Sequence, residues 1–282
     1  MPTSAPNLPA SALVPATPSP RVRAGFAWYG ERLLRRSFAA VRLAHGSDDA
    51  LRALAGLASG PLLLAYSHAS WWDPIVGAFL WRRHFADRPV FAPMDARELA
   101  RFRFMRKLGL FGIDPDDPGS IDAMGAYLAA ETKASPRAVV AITPQGRFTD
   151  PRDELVVRPG AAALAAHLGA AGAASVAIEY AFWNDRLPEV FVRVERIARP
   201  AAGSTASWQR AIVAAMRGNA ESLAAAVRAR DASAFQVALG KGAGAHPVYD
   251  LWLRIRGKGR SIDTAHRRSA SADLPAMEGG AR

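Results

Sequence analysis

LLLAYSHASWWDPIV, residues 62–76, decides how the rest of the chain is read. Its first five residues form an apolar run of strand length, preceded by the Gly60-Pro61 turn. Asp73-Pro74 followed by Ile75 and Val76 has the chemistry of a helix start, because proline is accommodated in a first turn where its missing N–H is not needed. His68 and Asp73 lie between, with four residues separating them. On a straight helix that step puts side chains about 140° apart, at roughly 100° per residue, so they would not share a face. They can meet only if His68 sits in the loop leaving the strand and Asp73 at the helix start, with Ser67 or Ser70 as a cap. There the imidazole can take a proton from a hydroxyl and return it. The carboxylate can fix its tautomer, and free N–H groups of the helix start would stand near a developing oxyanion. The bland alternative for an isolated His-x4-Asp is two polar residues on one loop with no joint role.

Downstream, a β-branched strand at residues 138–142 runs into Thr143-Pro144-Gln145-Gly146-Arg147, where Pro-Gln-Gly is a turn signal. Arg147, Arg152 and Arg158 follow, and Gly160 opens a helix. Basic side chains beside loop backbone and a helix N-terminus make an anion site; a solvated basic loop is the alternative. A helix over residues 95–108 is rich in Arg and leads to a short strand at 111–113, ended by DPDDPG. Further elements are a helix over 49–58, a strand over 88–94, a helix over 120–134 capped by Ser120, a helix over 160–169, and strands over 174–180 and 189–197. Strands alternating with helices define an α/β fold with a single mixed, mostly parallel sheet flanked by helices. Beyond Pro200, Ala-rich helices are expected over 204–227 and 232–239.

The organisation expected is therefore a disordered Pro-rich tail (1–20), a basic amphipathic helix (21–45), a catalytic domain (46–200), a helical extension (201–240) and a flexible basic tail (241–282). In the amphipathic segment, Val22, Phe26, Tyr29, Leu33, Phe38 and Val41 recur near helical spacing, with Arg21, Arg32, Arg35, Arg36 and Arg42 on the other face. Such a helix either lies in a membrane interface or packs on its own domain with its Arg stems snorkelling.

The 282 residues carry a net charge of +11 and no cysteine. The absence of cysteine excludes disulfides, thiolate chemistry and Cys-based zinc sites. The charge seeks a polyanion, whether nucleic acid, an anionic membrane face or a phosphorylated small molecule. Nucleic acid is disfavoured, since Trp71 and Trp72 are not interleaved with basic residues and no recognised motif appears. No apolar run reaches the roughly 20 residues of a bilayer span, and no secretory leader is expected.

Taken together and in order, these stretches resemble the lysophospholipid acyltransferase family, glycerolipid acyltransferases of the 1-acylglycerol-3-phosphate type. His68-Ala69-Ser70-Trp71-Trp72-Asp73-Pro74 is similar to the family's N-H-x4-D-P motif. Residues 108–115 fall where its second motif lies, Thr143-Pro144-Gln145-Gly146 resembles F-P-E-G-T-R-S, and Arg158-Pro159-Gly160-Ala161 is similar to the K-x-G-A segment after it. Val176-Ala177-Ile178 occupies the place of the fourth. The resemblance implies His68 as the base that deprotonates an acceptor hydroxyl and Asp73 as its orienter. It also implies Pro144, Gln145, Gly146, Arg147 and Arg158 at the acceptor site. The acyl donor would be acyl-CoA or acyl carrier protein, with no acyl-enzyme, no metal and no other cofactor. The acceptor would be a lysophospholipid or related lipid, met at the anionic, cytoplasmic face of a membrane by a peripheral protein.

Three positions depart from the family pattern: Gln145 where Glu is usual, Phe148 where the motif's Arg is usual, and Pro115 where the second motif has Arg. In the family the Glu and Arg positions are tied to the acceptor phosphate. Their replacement opens a second expectation for the acceptor, a glycolipid or an isoprenoid or carotenoid glycoside. It also leaves room for a non-catalytic lipid-binding protein, against which the intact His68 and Asp73 argue.

Overall fold

In the computed structural model, residues 13–240 are described. They form one eight-stranded sheet whose strand order is β4-β3-β5-β2-β6-β7-β1-β8. The strands are β1 (Ala40–Ala44), β2 (Leu62–Tyr66), β3 (Val90–Asp95), β4 (Leu110–Ile113), β5 (Val139–Ile142), β6 (Gly172–Ala181), β7 (Glu189–Ile197) and β8 (Phe235–Gly240). β4, β3, β5, β2 and β6 run parallel, β7 turns antiparallel to β6, β1 is parallel to β7, and β8 is antiparallel to β1. The fold is thus the mixed, mostly parallel α/β sheet that the sequence predicts.

β2 is buried at every position because both faces of the sheet are covered. Leu62, Leu64 and Tyr66 pack on one face with Ile75, Val76, Phe79 and Leu80 of α3 (Asp73–His84). Leu63 and Ala65 point to the other, among Met124 and Leu128 of α5 (Ser120–Ala134) and Leu164 of α6 (Gly160–His167). This is why LLLAY reads as a continuous apolar run rather than an alternating one.

Several boundaries differ from expectation. The amphipathic segment splits into α1 (Pro20–Ser37) and β1, since at Phe38 the chain turns extended and the buried residues of AVRLA complete the sheet. The buried face of α1 is Arg23, Ala27, Gly30 and Leu34, while Tyr29 faces outward. Gly30 sets this: a Cβ there would stand 3.2 Å from Ile75 Cγ2, so α1 lies close against α3 only through a glycine. Arg23 is tolerated inside because its guanidinium lies over the Trp81 ring at 5.3 Å.

The expected helical extension is part of the same domain. Trp208, Ile212 and Met216 of α7 (Thr205–Ala229) join the core below the sheet. The expected helix over 232–239 is instead a short 3-10 turn followed by β8, whose residues pair with β1. The expected disordered tail is ordered from residue 13, where Val14 bridges Gly112 and the Ala16 N–H donates to the Tyr127 hydroxyl at 3.1 Å. Residues 1–12 and 241–282, including the expected basic C-terminal tail, lie outside the described residues. The expected helix over 95–108 breaks at Phe102 into α4 (Ala96–Arg101) and a 3-10 turn, Arg103–Leu108. α2 (Ser47–Ala55) completes the set.

Candidate active site

Parallel strands end at one edge of the sheet, and connections between them leave a crevice there. β2 ends at Tyr66, and the next residue latches to β6: the Ser67 N–H donates to Val176 O at 2.9 Å, and Ser67 Oγ accepts from the Ile178 N–H at 2.9 Å. His68 is then clamped to the loop after β5. Its N–H donates to Gln145 Oε1 at 2.8 Å, and its carbonyl accepts from the Thr149 N–H at 2.8 Å. A backbone N–H can only donate, which fixes which end of the Gln145 amide faces it. The other end donates to Thr149 Oγ1.

His68 Nδ1 lies 3.0 Å from Asp73 Oδ2. The same oxygen accepts from the Ala69 and Ser70 N–H groups, both at 2.9 Å. Asp73 Oδ1 accepts from the Tyr180 hydroxyl at 2.6 Å. The four-residue spacing therefore closes a turn around the carboxylate at the first position of α3, where a negative charge also meets the positive end of the helix. Asp73 is 4% exposed. An ionised carboxylate can only accept, so a neutral imidazole here carries its proton on Nδ1 and leaves Nε2 able to accept one. The Ala69 and Ser70 N–H groups, in the loop before α3, are consumed by Asp73.

His68 borders a groove of about 340 Å³. One wall is the loop from Thr149 to Leu155 and the other is α7, which brings Arg217, Glu221 and Arg228; Glu179 of β6 lies at the floor. Burial pushes the Glu179 carboxyl up from the ordinary range, offset by nearby Arg228 and Arg152. Arg152 is held by Asp150 through contacts of 2.7 and 2.5 Å, which lowers the Asp150 carboxyl to about 2. The Phe148 ring lies 4.2 Å from the imidazole centroid and is 57% exposed. Trp71, 62% exposed, stacks on Trp72 on the other side of the loop.

The sequence-predicted residues are thus distributed unevenly. His68, Asp73 and Gln145 are brought together. Gln145 is buried; it braces the His68 backbone and also lines the groove. Pro144 is buried at the turn, where its carbonyl accepts from the Arg158 N–H at 2.9 Å. Gly146 has φ +68°, a left-handed conformation suited to glycine, and a Cβ there would stand 3.3 Å from the Arg158 guanidinium. Arg147 and Arg158 are exposed and are not among the groove's lining residues. The second-motif stretch lies on edge strand β4, with Asp114 held by Arg97 at 3.3 Å. Tyr180, Thr149 and the α7 arginines were not singled out as site residues from sequence. No local pattern marks Tyr180, which is 107 positions from its partner Asp73.

A His–carboxylate pair at the carboxyl end of a central parallel strand, beside an open groove, is an arrangement that can take up and return a proton. Residues 43–179 match the family model described as Acyltransferase, so this segment is an acyltransferase domain. The chain carries this domain of the glycerolipid acyltransferase type and is an acyltransferase. The match begins within β1 and ends one residue before Tyr180; β7, α7 and β8 lie beyond it. No curated protein matches the chain.

Proposed function

We propose that this acyltransferase moves a fatty acyl group from acyl-CoA or acyl carrier protein to a lipid hydroxyl, with His68 as general base. The observation that carries the reading is the His68–Asp73 pair, held at 3.0 Å with Nε2 unbonded at the groove edge. The acceptor hydroxyl gives its proton to Nε2 as its oxygen attacks the thioester carbonyl carbon. Asp73 stabilises the imidazolium, which returns the proton to the departing thiolate as the tetrahedral intermediate collapses. Each step is proton or acyl transfer, so no resident cofactor or metal enters the scheme.

The acceptor is a lysophospholipid or related lipid met at an anionic membrane surface. Support for that encounter comes from α1. Its outward face presents Arg21, Arg32 and Arg36 with Trp28 and Tyr29, which are 57% and 54% exposed, opposite the buried face. Cationic heads around amphipathic rings suit an interfacial helix. No described helix is long and apolar enough to cross a membrane. The protein would work as a peripheral protein on the cytoplasmic face.

A specific observation favours the glycosylated acceptor as a second reading. Phe148 stands against His68 where the family motif has an Arg. With Arg152 occupied by Asp150, the groove keeps Arg217 and Arg228 against Asp153, Glu154, Glu179 and Glu221. A phosphate dianion would meet more carboxylates than free guanidiniums there, whereas sugar hydroxyls can use both.

The chain's lack of cysteine gives a clean assay. A thiol-reactive dye reads released CoA with no background from the protein. The 282-residue chain is given acyl-CoA with lysophosphatidate, other lysophospholipids and lipid glycosides in turn, and acyl carrier protein is tested as donor by product mass spectrometry. Acceptor-dependent transfer is expected. No transfer from either donor to any lipid hydroxyl would overturn the proposal.

A further inference from the structure

We propose that Tyr180 sets the basicity of His68 through Asp73, its hydroxyl tempering the pull of the carboxylate on the imidazole. This rests on His68 being the general base. Tyr180 lies one residue past the family-matched segment, and its hydroxyl donates to Asp73 Oδ1 at 2.6 Å. The carboxylate has one oxygen for Tyr180 and one for His68, Ala69 and Ser70. A carboxylate this close to an imidazole favours imidazolium, which is useless as a base. Each further donor to the carboxylate draws charge away from the oxygen facing His68 and weakens that pull. Tyr180 is the donor that reaches the other oxygen. Its ring packs against Phe38, with centroids 5.8 Å apart, and Phe38 in turn packs edge-on against Trp72 at 4.9 Å. Burial and the adjacent Asp73 push its phenol well above the ordinary range, so it remains a donor at every pH of interest.

In Tyr180→Phe the ring stays and only the hydroxyl leaves. Asp73 keeps its place, because the Ala69 and Ser70 N–H groups still hold Oδ2. More charge then rests on that oxygen, and His68 becomes more basic. The other charged groups bordering the groove with His68 are Asp150, Arg152, Asp153 and Glu154 of the loop, Glu179 of β6, and Arg217, Glu221 and Arg228 of α7. All are unchanged in this variant, so the shift reports the hydroxyl.

Two readouts test the proposal. In the first, 13C-labelled histidine is titrated by NMR, with the His68 signal among the six histidines assigned by its loss in His68→Gln. The His68 midpoint should rise by about half a pH unit in Tyr180→Phe. This needs no acceptor, so it stands even where the proposed reaction fails. In the second, the acid limb of kcat/KM should move up by the same amount. The loss should be about threefold on that limb and vanish on the alkaline plateau. A purely structural role would instead lower the rate at all pH. Should Tyr180→Phe fail to fold, replacing the five tyrosines by 3-fluorotyrosine makes the hydroxyl a stronger donor, and the midpoint should fall. A His68 midpoint that is unmoved, or moves opposite to these directions, overturns the proposal.

Discussion

Replacing Asp73 by Asn separates the two things a carboxylate does for His68. Two backbone donors converge on Oδ2 from Ala69 and Ser70, so the Asn oxygen must take that place and the amide nitrogen must face Tyr180. The Tyr180 hydroxyl can rotate from donor to acceptor, and the oxygen at the Oδ2 position still accepts from His68 Nδ1. Tautomer and hydrogen bonds survive, and only the negative charge is lost. For charge centres about 4 Å apart at an effective dielectric of ~20, that charge stabilises the imidazolium by up to about 4 kcal/mol. At 1.36 kcal/mol per tenfold, kcat should fall by about 10²–10³ while KM changes little. Asp73→Ala should fall further and lose on the order of 3 kcal/mol of stability, because it strands two N–H groups and the Tyr180 hydroxyl. The assay is CoA release at saturating acceptor, with thermal unfolding as control. An Asp73→Asn enzyme with wild-type kcat would refute the reasoning, as would one that matches Asp73→Ala in both kcat and stability.

Gln145→Leu leaves the partly buried His68 N–H without its acceptor and should cost about 1 kcal/mol in denaturant unfolding; Gln145→Glu, which keeps an oxygen there, should recover most of the stability. Gly146→Ala forces a Cβ into a left-handed position beside Arg158 and should lower stability by about 1–2 kcal/mol, read as a fall in Tm. The raised Glu179 carboxyl carries its own pH signature. Its folded-state pKa lies above the unfolded value, so ionisation above the unfolded value of about 4.3 weakens the fold. Glu179→Gln should therefore be more stable than wild type at neutral pH and lose that advantage as pH falls below about 4, measured by unfolding midpoints across pH. On the membrane side, reversing Arg32 and Arg36 to Glu should weaken sedimentation with anionic liposomes, and wild-type binding should fall with added salt; binding unaffected by either change would remove α1 as the docking surface.

Much of this was legible in the sequence because local chemistry carried it. LLLAY announced a strand buried on both faces, and Asp73-Pro74 announced the start of α3 at the residue where it begins. The fixed step from His68 to Asp73 could only be useful across a strand–helix junction, and the junction is there. What failed were decisions made by tertiary context. AVRLA continues the periodicity of α1 yet pairs with β7, since the sheet needs an apolar strand there. The segment after Asp231 has helical composition yet forms β8 by pairing with β1. At the site, the motif resemblance located Gln145, while its bond to the His68 N–H, a bracing role beside the groove, had no signal in the sequence. Tyr180 and the α7 wall were out of reach, because only the folded sheet brings β6 and a distant helix to the end of β2.

The central claim is that His68 removes the acceptor's proton. The most direct measurement is CoA release by the 282-residue chain and by its His68→Gln variant, with the same donor and acceptor and with folding checked by circular dichroism. Loss of the base should lower kcat by at least about 10²-fold, with an intact fold and little change in KM. Turnover by His68→Gln equal to wild type would contradict the account.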